Sequence, residues 1–79
     1  MMRIEVKYYA WLREEFGDKE FLEVENRATL KEVVEKLIEK HELLGSENFL
    51  ISVNGKITGL DTVLKEGDVV SIFPPAGGG

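Results

Sequence analysis

The run Pro74-Pro75-Ala76-Gly77-Gly78-Gly79 closes the sequence with three residues that have no side chain. Glycine is roughly 7% of an average protein, so two together at a chosen position arise by chance on the order of once in two hundred, and three far less often. Bare of Cβ atoms, such a segment threads a cleft in which any larger residue would clash. With Gly79 as the last residue, its carboxylate is the group there that can react. The expected chemistry is presentation of that carboxylate to another protein's active site. Pro74 and Pro75 fix φ at two positions and remove two backbone donors, which ends sheet pairing and favours an extended course. From Pro75 to Gly79 the chain reaches at most roughly 17 Å, enough to enter a buried site of a partner. A frayed end is the competing reading.

An arm of this kind needs a base, and the preceding residues supply one. In the strand expected over 69–73, Val70 and Ile72 share the core parity, which leaves Val69, Ser71 and Phe73 pointing away and Phe73 exposed. Tyr9 has the same outward parity in the first strand, and Ile57 lies on a short strand after the Asn54-Gly55 hairpin. Scattered surface aromatics are normal, but together Tyr9, Ile57 and Phe73 are expected to form an apolar docking patch beside the arm.

Other chemistry is poorly supported. The chain contains no cysteine, so disulfides, thiolate metal sites and a cysteine nucleophile are excluded, and any sulfur it carries must sit on another group. His41 is the single histidine, which rules out a multi-histidine metal site. At the end of an apolar helical stripe it reads as a helix-end residue whose charged form favours the C-terminal dipole. The many acidic residues read as solvated faces. Neither Asn54-Gly55 nor Lys65-Glu66-Gly67-Asp68 fits a phosphate-binding loop, which needs Lys-Ser/Thr and a following helix. A net charge of -5 argues against nucleic acid and for a partner with a basic surface. No apolar run approaches a membrane span or a signal peptide, so a cytoplasmic protein is expected, without metal, cofactor, membrane or nucleic acid.

The arm and its base must be positioned by a small domain, because 79 residues bury only about 60% of the unfolded surface. Residues 3–9 alternate as a half-buried strand, with Ile4, Val6 and Tyr8 inward. Residues 10–16 make a short helix, with Trp11 or Leu12 and Phe16 inward and Gly17 as its stop. Residues 20–25 alternate again, with Leu22 and Val24 on one face. Thr29 with Glu32 is a capping box. It opens the main helix, whose stripe is Leu30, Val33, Val34, Leu37, Ile38 and His41; Glu32–Lys36 and Lys31–Glu35 are possible outer ion pairs. Leu43-Leu44-Gly45 ends the helix. A strand over 49–53 runs into the hairpin signal Asn54-Gly55 and returns over 56–58. Residues 60–64 form a single turn that packs a leucine or two, and residues 65–68 turn tightly into the last strand. These elements imply an α+β plan with one main helix packed across a mixed sheet of about five strands, and a short helix after the first strand.

The stretches Val6 to Glu14, Val53-Asn54-Gly55, Asp61 to Asp68 and Ile72 to Gly79 make the whole chain resemble the MoaD-type sulfur carriers, the small subunits of molybdopterin synthase. Ala76-Gly77 departs from the pattern, since family members more often carry a larger residue followed by Ser or Thr. The resemblance implies a ubiquitin-like β-grasp domain over 1–73, with first and last strands parallel at the sheet centre, and an extended flexible tail over 74–79. It implies a non-catalytic carrier subunit of a sulfurtransferase complex. A separate enzyme would use ATP to adenylate Gly79, a sulfur donor would convert it to a thiocarboxylate, and the synthase large subunit would pass the sulfur to a pterin for the dithiolene of molybdopterin. In that scheme Pro74, Pro75, Gly77 and Gly78 enter the partner's site, and Tyr9, Arg13, Ile57 and Phe73 match the partner interface. A thiamin-pathway carrier, a protein modifier joined to lysines through Gly79, and a plain interaction module are the alternatives.

Overall fold

The computed structural model describes residues 1–46 and 48–75. Gly77, Gly78 and Gly79, with Glu47 and Ala76, lie outside the described residues. Strand β1 spans Met2–Tyr8, helix α1 Trp11–Phe16, β2 Lys19–Val24, α2 Leu30–Lys40, β3 Leu50–Val53, β4 Lys56–Ile57 and β5 Val69–Phe73. A 3-10 turn over Glu42–Ser46 follows α2.

The sheet order is β2-β1-β5-β3-β4. β1 and β5 are parallel at its centre, with Val6 opposite Val70 and Tyr8 opposite Ile72. The β1/β2, β3/β5 and β3/β4 pairs are antiparallel. This is the ubiquitin-like β-grasp arrangement, a five-stranded mixed sheet with α2 as its main helix.

The alternating residues of β1 place Ile4, Val6 and Tyr8 in the core with Leu22, Val24, Val70 and Ile72. Leu30, Val33 and Leu37 of α2 close the core from above. Thr29 Oγ1 accepts the Glu32 N–H while Glu32 Oε1 accepts the Thr29 N–H, so the capping box forms. Leu30 and Lys31 donate their N–H groups to Thr62 O and Leu60 O. The 60–64 segment therefore serves as a strap that satisfies orphan donors at the start of α2. It packs one leucine, Leu64, while Leu60 stays exposed. The expected outer pairs Glu32–Lys36 and Lys31–Glu35 do not form among the described residues, and Glu32 is occupied by the cap.

Two turns fix where β5 begins. Asn54 and Gly55 both hold positive φ, at 50° and 85°, which suits a type I′ hairpin between β3 and β4. The Asn54 side chain donates to Asp68 Oδ1 and accepts the Val69 N–H, both at 2.9 Å. Asp68 N–H donates to Lys65 O at 3.0 Å, closing the expected tight turn, and Asp68 Oδ2 accepts the Lys65 N–H. No helix among the described residues is long and apolar enough to cross a membrane.

Candidate functional site

The outward face of the sheet is assembled by strand register. Phe73 lies opposite Leu50 across β5 and β3, and Ser52 links Ser71 on one side to Ile57 on the other. Tyr9 joins the end of β5 by donating its N–H to Ile72 O at 3.2 Å. Its ring stacks on Phe73 with centroids 4.4 Å apart and an 18° tilt. Ala10 then takes φ 55° and ψ -135°, a region sparsely allowed for a residue with a Cβ. That strained turn redirects the chain into α1 and leaves Tyr9 on the outer face.

The result is an apolar row, Tyr9, Phe73 and Leu50, with Ile57 one row further along. Ile57 is 69% exposed and Leu50 56%. Phe73 is half-buried rather than exposed as expected, because Tyr9 covers one side of its ring. Ser71 has the outward parity but is buried. It sits on a central strand, with Val69 and Phe73 along the chain and Lys7 and the equally buried Ser52 across it, and so lies below the longer side chains of Val69, Phe73 and Lys7. Leu50 was not in the sequence-derived set. Its parity, opposite to Phe49, Ile51 and Val53, is the signal that identifies it. Pro74 and Pro75 follow directly, half-buried at the end of the row. Of the tail residues assigned to active-site entry, Gly77 and Gly78 lie outside the described residues, as does the reacting Gly79.

Arg13 approaches the patch from α1. It pairs with Asp18 at 2.7 Å and lines a cleft of about 270 Å³ with Lys7, Tyr8, Tyr9, Asp18 and Lys19. Lys7, Arg13 and Lys19 thus meet beside Tyr9, a local gathering of cations on an acidic chain that the sequence order conceals. Of the four residues assigned to the interface, Tyr9 and Phe73 touch, Arg13 borders Tyr9, and Ile57 lies across β5 and β3 on the same face.

The opposite face carries a polar cluster that the sequence reading assigned to a solvated surface. Glu20 Oε2 accepts from Tyr8 Oη at 2.5 Å and lies 2.8 Å from His41 Nε2, and Oε1 accepts from Lys40 Nζ. The His41 ring stacks on Phe16 with centroids 4.2 Å apart. Burial pushes the Glu20 carboxyl up, but hydrogen bonds from Lys40, Tyr8 and His41 outweigh it and hold it down at about 2. Burial, followed by the Glu20 hydrogen bond and charge, raises the Tyr8 phenol well above its ordinary value. His41 is therefore more than a helix-end residue: it caps α2 and ties that end to β2. Within α1, Leu12 is the buried residue, whereas Trp11 is 40% exposed beside Phe49.

The model of the ThiS family matches residues 6–79. The chain belongs to that family. It is thus a ubiquitin-like carrier of the MoaD/ThiS sulfur-carrier group. Small archaeal modifier protein 3 of Haloferax volcanii is 33% identical over 94 aligned positions, covering 99% of this chain and all of the relative. A solved Pyrococcus furiosus protein, assigned by name to subunit 1 of the molybdopterin converting factor, is 32% identical with a TM-score of 0.88. That match covers 96% of this chain and all of the other. A Helicobacter pylori complex of subunits 1 and 2 of the molybdopterin-converting factor contains a chain 35% identical to this one. Its TM-score is 0.73, over 99% of this chain and 100% of that one.

Proposed function

We infer that this ThiS-family chain is the sulfur carrier and small subunit of a molybdopterin synthase. The observation that carries the reading is continuity: the apolar row Tyr9–Phe73–Leu50 ends where Pro74-Pro75 begins, so docking and tail insertion share one origin. The subunit 1–subunit 2 complex of the 35% identical Helicobacter pylori chain supports a large-subunit partner.

A carboxylate is a poor acyl donor because it lacks a leaving group. In the proposed cycle a Gly79 carboxylate oxygen attacks the α-phosphate of ATP inside the activating enzyme, and pyrophosphate departs. A sulfur donor then attacks the acyl carbon. AMP leaves with the electron pair of the broken C–O bond; where the donor is a persulfide, a thiol then attacks the donor-side sulfur of the resulting acyl disulfide, forms a disulfide with it, and the S–S electron pair leaves on the acyl sulfur as the thiocarboxylate. Pro74 and Pro75 stiffen the exit, and Gly77 and Gly78 give clearance in the large subunit, where sulfur passes to the pterin precursor. This chain supplies the arm and the docking face; the acid–base groups belong to its partners.

The full-length match to a small archaeal modifier protein favours a second reading, in which activated Gly79 is joined to lysines of target proteins. One experiment separates them. Thiocarboxylated chain is incubated with the large subunit and pterin precursor, and separately with cell extract. The carrier reading predicts return of the chain to the free carboxylate as dithiolene forms. Persistence of the thiocarboxylate with a competent large subunit, together with lysine adducts in the extract, would replace it with the modifier reading.

A further inference from the structure

The two edges of the sheet differ. β4 offers only two residues, Lys56–Ile57, whereas β2 offers six, Lys19–Val24, in unbroken register with β1 and without proline or glycine. The hydrogen bonds of β1 show which β2 backbone groups face the open side. Glu5 N–H donates to Asp68 O at 3.0 Å, towards β5, and Tyr8 N–H donates to Asp18 O at 2.9 Å, towards β2. Direction alternates along an antiparallel ladder. Glu20 and Leu22, opposite Val6 and Ile4, are therefore bonded to β1. Lys19, Phe21 and Glu23, opposite Lys7, Glu5 and Arg3, turn N–H and C=O to the open edge.

The same three residues place their side chains on the outer face. Phe21 is 46% exposed, with the Arg3 guanidinium 4.2 Å from its ring centroid and Lys19 Nζ at 5.9 Å. Lys19 stands directly opposite Lys7, a like-charge cross-strand pair that is unfavourable by itself. Long regular edges normally carry a device against further pairing. Here the only charges on the outer side of the edge have opposite signs, two residues either side of Phe21.

We propose that β2 pairs antiparallel with β2 of a second copy of this chain, with the twofold axis through Phe21. In that register Phe21 faces Phe21 and Lys19 faces Glu23 at both ends, and each of these pairs exchanges two backbone hydrogen bonds. Glu23 then lies between Arg3 of its own chain and Lys19 of the second copy, and supplies the counter-charge that Lys19 lacks beside Lys7. A shift by two residues sets Phe21 against Glu23 or Lys19 and loses the aromatic pair. The β2 edge lies across β1 from β5, β3 and β4, so this contact is separate from the Phe73–Leu50–Ile57 surface. One added strand buries less than the roughly 1,200 Å² of a standard interface, so the dimer is weak and forms with rising concentration.

The test is sedimentation equilibrium of the full chain up to about 1 mM, together with amide hydrogen exchange over the same range. The expected result is a dimer at high concentration, with exchange at Lys19, Phe21 and Glu23 slowing as it forms. Exchange at Glu20 and Leu22, bonded within the monomer, stays independent of concentration. Lys19→Glu sets like charges against each other at both ends and weakens association by about tenfold or more. Adding Glu23→Lys restores the opposite-charge pairs and the affinity. A monomer throughout the range, or a dimer indifferent to Lys19→Glu, overturns the proposal. So does protection that rises elsewhere but not at these three amides.

Discussion

Tyr8 and Tyr9 stand side by side in the chain, yet the first is sealed against Phe16 and His41 while the second lies half-open, stacked on Phe73. On the Tyr8 face, side chains from β1, β2, α1 and the end of α2 close around a satisfied polar cluster. On the Tyr9 face, an apolar row has no helix over it among the described residues and ends at the root of the tail. The inner face spends its apolar surface on holding the fold, and the outer face leaves a smaller amount exposed, which the proposed docking would use. The strained Ala10 marks the changeover, because the chain leaves β1 there with Tyr9 already committed to the outer side.

This division can be broken or sharpened by experiment. Leu37→Ala, a fully buried change on the helix side, should lower unfolding free energy by about 2–5 kcal/mol, while leaving large-subunit affinity of the folded fraction unchanged. Chemical denaturation and calorimetric titration measure both. A pH series probes the cluster around Glu20. Its folded pKa of about 2 lies below its ordinary 4.5, so its stabilisation is complete above about pH 4.5 and is lost as pH falls through 2. The loss is up to about 3 kcal/mol. Glu20→Gln should be less stable at pH 7 and flatter across that acid window. At the other extreme the raised Tyr8 pKa predicts declining stability as pH rises above the ordinary tyrosine value of 10.0.

On the outer face the order of effects should reverse. Phe73→Ala should weaken large-subunit binding by about 2 kcal/mol, as expected for an aromatic anchor, and cost about 1 kcal/mol of stability through its stack with Tyr9. Equal losses in the two assays would erase the distinction between the faces. Ile57→Ala should be the mildest change. With a side chain this exposed, stability should move by no more than about 0.5 kcal/mol, and any affinity loss should be smaller than for Phe73.

Much of the architecture was legible because it is written in local periods. Alternation from Arg3 to Tyr9 gives β1, Thr29 with Glu32 starts α2, and Asn54-Gly55 turns the hairpin. Features that depend on pairing across the sheet were less accessible. Ser71 is buried despite outward parity, because a central strand has neighbours on both sides. Leu50 joins the outer apolar row only once β3 is laid antiparallel to β5. The Tyr8–Glu20–His41 cluster spans 12 and 21 residues in sequence. Its one local sign was a glutamate on the same parity as Leu22 and Val24.

The role of Gly79 is the claim on which the carrier account turns. Intact mass of the chain after incubation with the activating enzyme, ATP and a sulfur donor tests it directly, with a Gly79-deleted chain alongside. The account predicts that the full chain gains the mass difference of sulfur over oxygen at its terminus and that the deleted chain, equally folded, does not. An unchanged full chain with competent partners, or the same gain without Gly79, would contradict it.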